Sequence, residues 1–177
     1  MESVTSIISA TMSGRARSTR SGLARMPLRR LSRKDIAWAL PHTGLMLLLD
    51  SAEEVARDTL RCLSRSHADP GNPLREDGVL PVLAGVEYAG QAIALHAWLR
   101  KDDNGGADAT TPRRAFMAGL SELRWTSDRL DDAPGPIIVT VRAGTFLEDG
   151  ARYDFSITDA DGLLRIQGQS LVAFETA

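Results

Sequence analysis

Glu87 stands in GVEYAGQAIALHAWL, residues 85–99, a run of small and apolar residues, with the amide of Gln91 one helical turn later. An ionised carboxylate taken from water into an apolar interior costs several kcal/mol, or has its pKa pushed upward, unless a partner meets it. In the first turns of a helix, however, the macrodipole favours negative charge and backbone N–H groups remain free to receive an oxyanion. An acid in that place is suited to general acid–base work beside a polarised carbonyl. Gly85 allows a ligand to approach the backbone closely, so the Gly85 and Val86 amides are the candidate oxyanion donors. Gln91, at i+4, shares the face of Glu87 and can hold it in one rotamer. The competing reading of Glu87 is a carboxylate paired with Arg113 or Arg114 across a subunit interface.

Such chemistry also needs a base, and the chain offers three histidines, His42, His67 and His96. His96 lies nine residues beyond Glu87 on the same helix, about 13 Å along the axis at a rise of about 1.5 Å per residue, which places it at the helix end as a packing residue. His67 opens a loop, the setting of a solvated turn histidine. His42 sits in LPHTG, next to Pro41. The single cysteine, Cys62, lies in TLRCLSRS, which reads as a strand with a core thiol. One cysteine excludes a disulfide framework and a thiolate zinc site, and no Gly-rich phosphate loop is present, so neither metal nor cofactor is expected.

The chain has 177 residues, 43% of them hydrophobic, which suits one domain with an appended tail. Residues 1–34 hold eight Arg and Lys against the single Glu2, so the head is near +7 and the remainder near −9 for a net charge of −2. The head, residues 1–31, is rich in Ser, Thr and Arg and has no long apolar core, so it is no secretory signal. It reads as a disordered basic tail or as an extension ahead of a start at Met26, although organellar transit peptides share its composition. Its charge would support only nonspecific nucleic-acid binding, and the acidic body gives that no help. No nucleic-acid partner is expected, and the cytoplasm is the default compartment.

Several elements must position these residues. Ser32 and Asp35 resemble a capping box opening a short helix that ends before Pro41. LMLLLD, residues 45–50, and TLRCLSRS read as strands, and residues 67–81 as a loop with Pro70, Gly71, Pro73 and Gly78. Residues 82–99 form a helix apolar nearly all round. Its Glu87, Gln91 and His96 argue for a buried core helix against a membrane span. A polar stretch, KDDNGGADATTP, leads to RRAFMAGLSELRW, PIIVTVRAGTF, RYDFSITD and LLRIQGQSLVAF, four strand candidates read as an antiparallel meander with turns at Asp149-Gly150 and Asp161-Gly162. A lone apolar helix is hidden all round only where a curved sheet wraps it and a second body closes the open side. That is the α+β hotdog fold, an antiparallel sheet round one long central helix, here spanning residues 32–177 and usually closed by a second subunit.

At this point LPHTGLMLLLDSAEEV resembles the opening of the hotdog dehydratases that act on beta-hydroxyacyl groups carried on acyl carrier protein, whose members often begin with LPH-x-x-P-x-LLxD. DGVLPVLAGVEYAGQAIA is similar to the G-x-P…GIEYMAQA pattern of one branch, the dehydratase-like proteins of aryl polyene gene clusters, and YDFSITDADGLLRIQGQSLVAF to their last hairpin. The resemblance covers roughly residues 33–174 and implies a lyase of fatty acid, polyketide or aryl polyene synthesis. Acyl carrier protein would be its partner, in a homodimer or a heterodimer with a paralogous hotdog subunit. It ranks His42 first as the base and gives Glu87 the hydroxyl, with Gly85, Val86 and Gln91 binding substrate. Two departures stand out. The loop histidine of the better-known dehydratases is replaced by Pro73, and Leu45 replaces the proline usual after PH-x-G. Loss of the loop histidine keeps two alternatives open, a hotdog thioesterase using a helix carboxylate and a non-catalytic hotdog subunit.

Overall fold

A computed structural model describes residues 30–103, 115–147 and 150–174. The head up to residue 29, most of the polar stretch after the long helix and Asp149 lie outside the described residues. Leu31, assigned to the tail from sequence, pairs with Ala52.

The chain opens with a two-residue strand, β1 (Leu31–Ser32), and runs directly into α1 (Arg33–Ala39). The capping box is formed: the Ser32 hydroxyl accepts from Asp35 N–H and the Asp35 carboxylate accepts from Ser32 N–H, satisfying donors that the first turn leaves orphaned. Strands β2 (Ser51–Val55) and β3 (Thr59–Ser64) form a hairpin ahead of the long α2 (Gly85–Asp103). After it come β4 (Ala115–Trp125), β5 (Ile137–Leu147), β6 (Gly150–Thr158) and β7 (Leu164–Phe174). The seven strands form one sheet in the order β1-β2-β3-β5-β6-β7-β4, every pair antiparallel.

The order corrects one expectation. Only β5, β6 and β7 form a meander; β4 crosses to the far edge and pairs with β7, leaving β3 beside β5. The long α2 carries the chain across the sheet, so the strand that follows it is free to take either edge. Another correction concerns LMLLLD. Gly44–Met46 is a 3-10 turn, and residues 47–50 join no strand although Leu47, Leu48 and Leu49 are buried.

The sheet curls round α2, which packs on β3, β5 and β6. Tyr88, Ala89, Ala92, Ile93, Leu95 and Leu99 of the helix join Leu60, Cys62, Val139, Val141, Phe155, Ile157 and Ile166 of the strands in one core. Period-two burial along β6, with Tyr153, Phe155 and Ile157 inside and Arg152 and Asp154 outside, marks the face that meets the helix. At the β6–β7 turn Asp159 accepts the Asp161 and Leu163 N–H groups while Gly162 takes a φ of +84°, where a side chain would be strained. Among the described residues, no helix is long and apolar enough to cross a membrane.

Candidate functional site

Pro41 stops α1, and the chain turns so that His42 meets the first turn of α2. His42 Nε2 lies 3.3 Å from Glu87 Oε1, with 28% and 39% of the two side chains exposed. The pair is thus reachable from outside while remaining partly desolvated. The other ring nitrogen, Nδ1, is buried and has no hydrogen-bond partner among the described residues.

Gln91 connects the two halves of the site. Its side chain is fully buried, and its Nε2 donates to Glu87 Oε1 at 3.2 Å and to Met46 C=O at 2.8 Å, while its Oε1 accepts Leu48 N–H at 3.0 Å. This explains why residues 45–50 make no strand. Most of the backbone groups of residues 46–49 are taken by side chains: Gln91 holds Met46 and Leu48, Ser64 and Ser66 donate to Leu48 C=O, and Arg33 donates to Leu47 and Leu49 C=O. A buried backbone must find partners, and only at Asp50, whose N–H donates to Leu63 C=O, does this segment find one on a strand backbone among the described residues. Gln91 was expected among the substrate-binding residues and as a hold on Glu87; its amide bonds Glu87 on one side and Met46 and Leu48 on the other.

Tyr88, next to Glu87, points the opposite way into the core. Its hydroxyl lies 2.8 Å from Ser66 Oγ and accepts from Asn72 Nδ2 at 2.9 Å, and burial pushes the phenol pKa up. The 66–72 loop is thereby tied to the helix turn that carries Glu87. Pro73 follows exposed, so the loop presents no base where the better-known dehydratases have one. Arg33, Ser66 and Tyr88 were not singled out from sequence, and Asn72 was read only as a loop residue. Only Arg33 left a signal, as the first residue inside the capping box.

Gly85 lies where α2 packs on the sheet. Its N–H is directed to Val82 and Leu83 C=O in a 3-10 turn, Val82–Ala84, that runs into α2. A Cβ at Gly85 would meet Ile166 Cγ2 at 2.8 Å and Ile157 Cδ1 at 3.0 Å. The glycine serves helix-to-sheet packing here. Val86 is half-buried on the outer side of the helix.

The remaining histidines are core residues. His67, expected to be solvated, is fully buried with Nε2 3.2 Å from Ala133 C=O, because the loop it opens folds under residues 130–133. His96 is buried mid-helix, not at the helix end, with Nδ1 3.1 Å from Tyr153 Oη and the two rings edge to face. Burial pushes both histidine pKa values down. Of the three rings, His42 alone contacts Glu87 among the described residues. Arg113 and Arg114, the alternative partners of Glu87, lie outside the described residues. Cys62 is buried in β3, and desolvation pushes its thiol up to about 12, which fits the core thiol read from sequence.

The chain is similar in fold to the dehydratase heterocomplex ApeI:P from Xenorhabdus doucetiae, with a TM-score of 0.65 at 17% identity over 80% of this chain and 91% of that one. It is also similar to a mutant thioesterase from Pseudomonas aeruginosa, with a TM-score of 0.57 at 13% identity over 81% and 94%. A third similar structure is AziG from S. sahachiroi, with a TM-score of 0.52 at 13% identity over 71% and 90%. At such identities these likenesses establish the hotdog fold alone. A comparison with curated protein sequences finds no match. The sequence profile of the family described as ApeP-like, ApeP dehydratase, matches residues 34–171. That span takes in His42, Glu87, Gln91 and every strand from β2 to β6, and the chain belongs to the ApeP-like dehydratase family.

Proposed function

We propose that this protein dehydrates beta-hydroxyacyl thioesters carried on acyl carrier protein, with His42 and Glu87 as its catalytic residues. The observation that carries the reading is the 3.3 Å contact between His42 Nε2 and Glu87 Oε1 in a chain of a dehydratase family. In the reaction, neutral His42 Nε2 takes the α proton and the electron pair of that C–H bond becomes the new C=C bond. The C–O bond breaks, and the Glu87 carboxyl gives its proton to the departing hydroxide to form water. The proton on His42 then returns to Glu87 across their contact, and the site resets. Gln91 acts as a positioning residue. The thioester carbonyl is polarised at the helix start, where Val86 remains the candidate donor and Gly85 contributes by letting the helix lie close on the sheet.

Fatty acid, polyketide or aryl polyene synthesis would supply such substrates. The protein works as one half of a pair, with a paralogous hotdog subunit or with a second copy. Two features support this. On α2, Val86, Gly90, Ala94 and Ala97 are only half-buried, so one helix face is incompletely covered by the described residues of this chain. On the edge strand, Leu120 and Trp125 are exposed on one face, opposite Ser170 and Ile166 of β7. Exposed apolar side chains on a free sheet edge mark a contact surface.

The test is mass spectrometry of a beta-hydroxyacyl group on acyl carrier protein, incubated with the protein alone and with its paralogous subunit. Loss of one water from the acyl group supports the reading. Release of free carrier thiol would make the protein a thioesterase. Water loss that needs the paralogous subunit and is undiminished by Glu87→Gln would make it a non-catalytic subunit.

A further inference from the structure

We infer that Arg33 is a positioning residue for His42, closing with its side chain the loop on which that histidine is carried. The inference rests on the reading of His42 as the catalytic base. Arg33 is the first residue of α1, fixed at its backbone by the Ser32–Asp35 capping box and the pairing of Ser32 with Ser51. Its guanidinium crosses to the segment that follows His42. Nη2 donates to Leu47 C=O at 2.7 Å and Gly44 C=O at 3.3 Å; Nη1 donates to Leu49 C=O at 3.3 Å and to Asp50 Oδ1 at 2.8 Å. Asp50 is itself held, since its Oδ2 accepts Arg65 N–H at 2.7 Å.

The chain from Arg33 to Gly44 is therefore a closed loop with His42 two residues before the closure. From the other side, Gln91 grips Met46 and Leu48 of the same segment. Gln91 couples that segment to Glu87, and Arg33 couples it to the helix that leads into His42. The pairing with Asp50 is 43% and 38% exposed, so its Coulomb part is small. What distinguishes Arg33 is the planar fork, which reaches three carbonyls and a carboxylate at once. A lysine ammonium has three donors on a flexible stem and cannot span that set.

The variants Arg33→Lys and Arg33→Met, each checked for folding by thermal melting, test this. Two readouts are taken on the full-length protein: kcat and KM on a carrier-bound beta-hydroxyacyl group, and the ring 13C resonance of His42 with and without Glu87→Gln. We expect both variants to remain folded, with kcat down at least about tenfold and KM within about twofold of wild type, the signature of lost geometry rather than lost binding. The response of the His42 ring to Glu87→Gln should fall to less than about half its wild-type size. Lysine restoring wild-type kcat, or an undiminished His42 response in folded variants, would overturn the inference. If the wild type shows no turnover, the dehydratase reading fails while the His42 resonance still decides the role of Arg33.

Discussion

Gln91 and Leu48, 43 residues apart in sequence, are joined by a buried hydrogen bond in which the Leu48 N–H meets the Gln91 side-chain oxygen at 3.0 Å. The same amide bonds Met46 C=O and Glu87 Oε1. Replacing Gln91 by Leu keeps the volume and strands the Leu48 N–H and the Met46 C=O. Each stranded group costs about 1–3 kcal/mol, so urea denaturation should show a loss of about 2–6 kcal/mol, together with a fall in kcat. A change below about 0.5 kcal/mol, the range of an ordinary surface substitution, would count against this role.

Gly85 is predicted to tolerate no side chain. The 2.8 Å and 3.0 Å approaches of Ile166 and Ile157 leave no room for a methyl group, and overpacking of a tight core costs about 1–3 kcal/mol. Gly85→Ala should lower the melting temperature, and adding Ile157→Val, which removes the Cδ1 methyl 3.0 Å from the new side chain, should recover part of the loss. A double variant no more stable than Gly85→Ala alone would show that the crowding lies elsewhere.

How much of this could be read from the residues depended on where each backbone found its partners. The capping box, α2, the strands β3 to β7 and the candidate acid were legible, because local pattern and tertiary contact agree there. LMLLLD was misread as a strand because its apolar run is buried as a strand's would be, yet side chains from residues 33, 64, 66 and 91 take its hydrogen bonds, and no local signal encodes that. The place of β4 was hidden for a related reason: edge order is set by the crossover through α2. Gly85 showed a need for closeness but not what comes close. Gln91 and Glu87 were legible as a pair on one helix face, whereas the grip of Gln91 on Met46 and Leu48 was not.

Acid should weaken the fold in two windows. His67 and His96 are pushed down from an ordinary value of 6.5 by burial. A depressed pKa means that the unfolded chain takes up protons first, so their contribution is intact above about pH 6.5 and is lost as pH falls through their folded values. Asp131 is held at about 2, first by the Arg129 hydrogen bond, with Arg75 adding to it. Its contribution is intact above the ordinary carboxyl value and lost between about pH 4 and pH 2. Melting temperature followed from pH 8 to pH 3 should begin to fall below neutrality, and Asp131→Asn should flatten only the lower window. A flat profile between pH 7 and pH 5 would contradict the burial of the two histidines.

The edge strand yields a prediction about assembly. Leu120 and Trp125 are exposed on one face of β4, a strand already bent by register shifts at Met117/Gly119 and Ser121/Arg124. Leu120→Arg places a charge on this face at an exposed position. Sedimentation should show the variant separated from its hotdog partner or from its second copy, with circular dichroism unchanged. An assembly as tight as that of the wild type would move the interface away from β4.

The central claim is that His42 and Glu87, 3.3 Å apart, are the two groups that move protons. The most direct measurement is the rate of water loss from a beta-hydroxyacyl group on acyl carrier protein with wild type, His42→Ala and Glu87→Gln, each in the presence of the paralogous subunit. The account predicts turnover by wild type and losses of at least about 10²-fold in each variant, the scale on which a positioned acid or base contributes, with all three proteins equally folded. Turnover that survives both substitutions would contradict it.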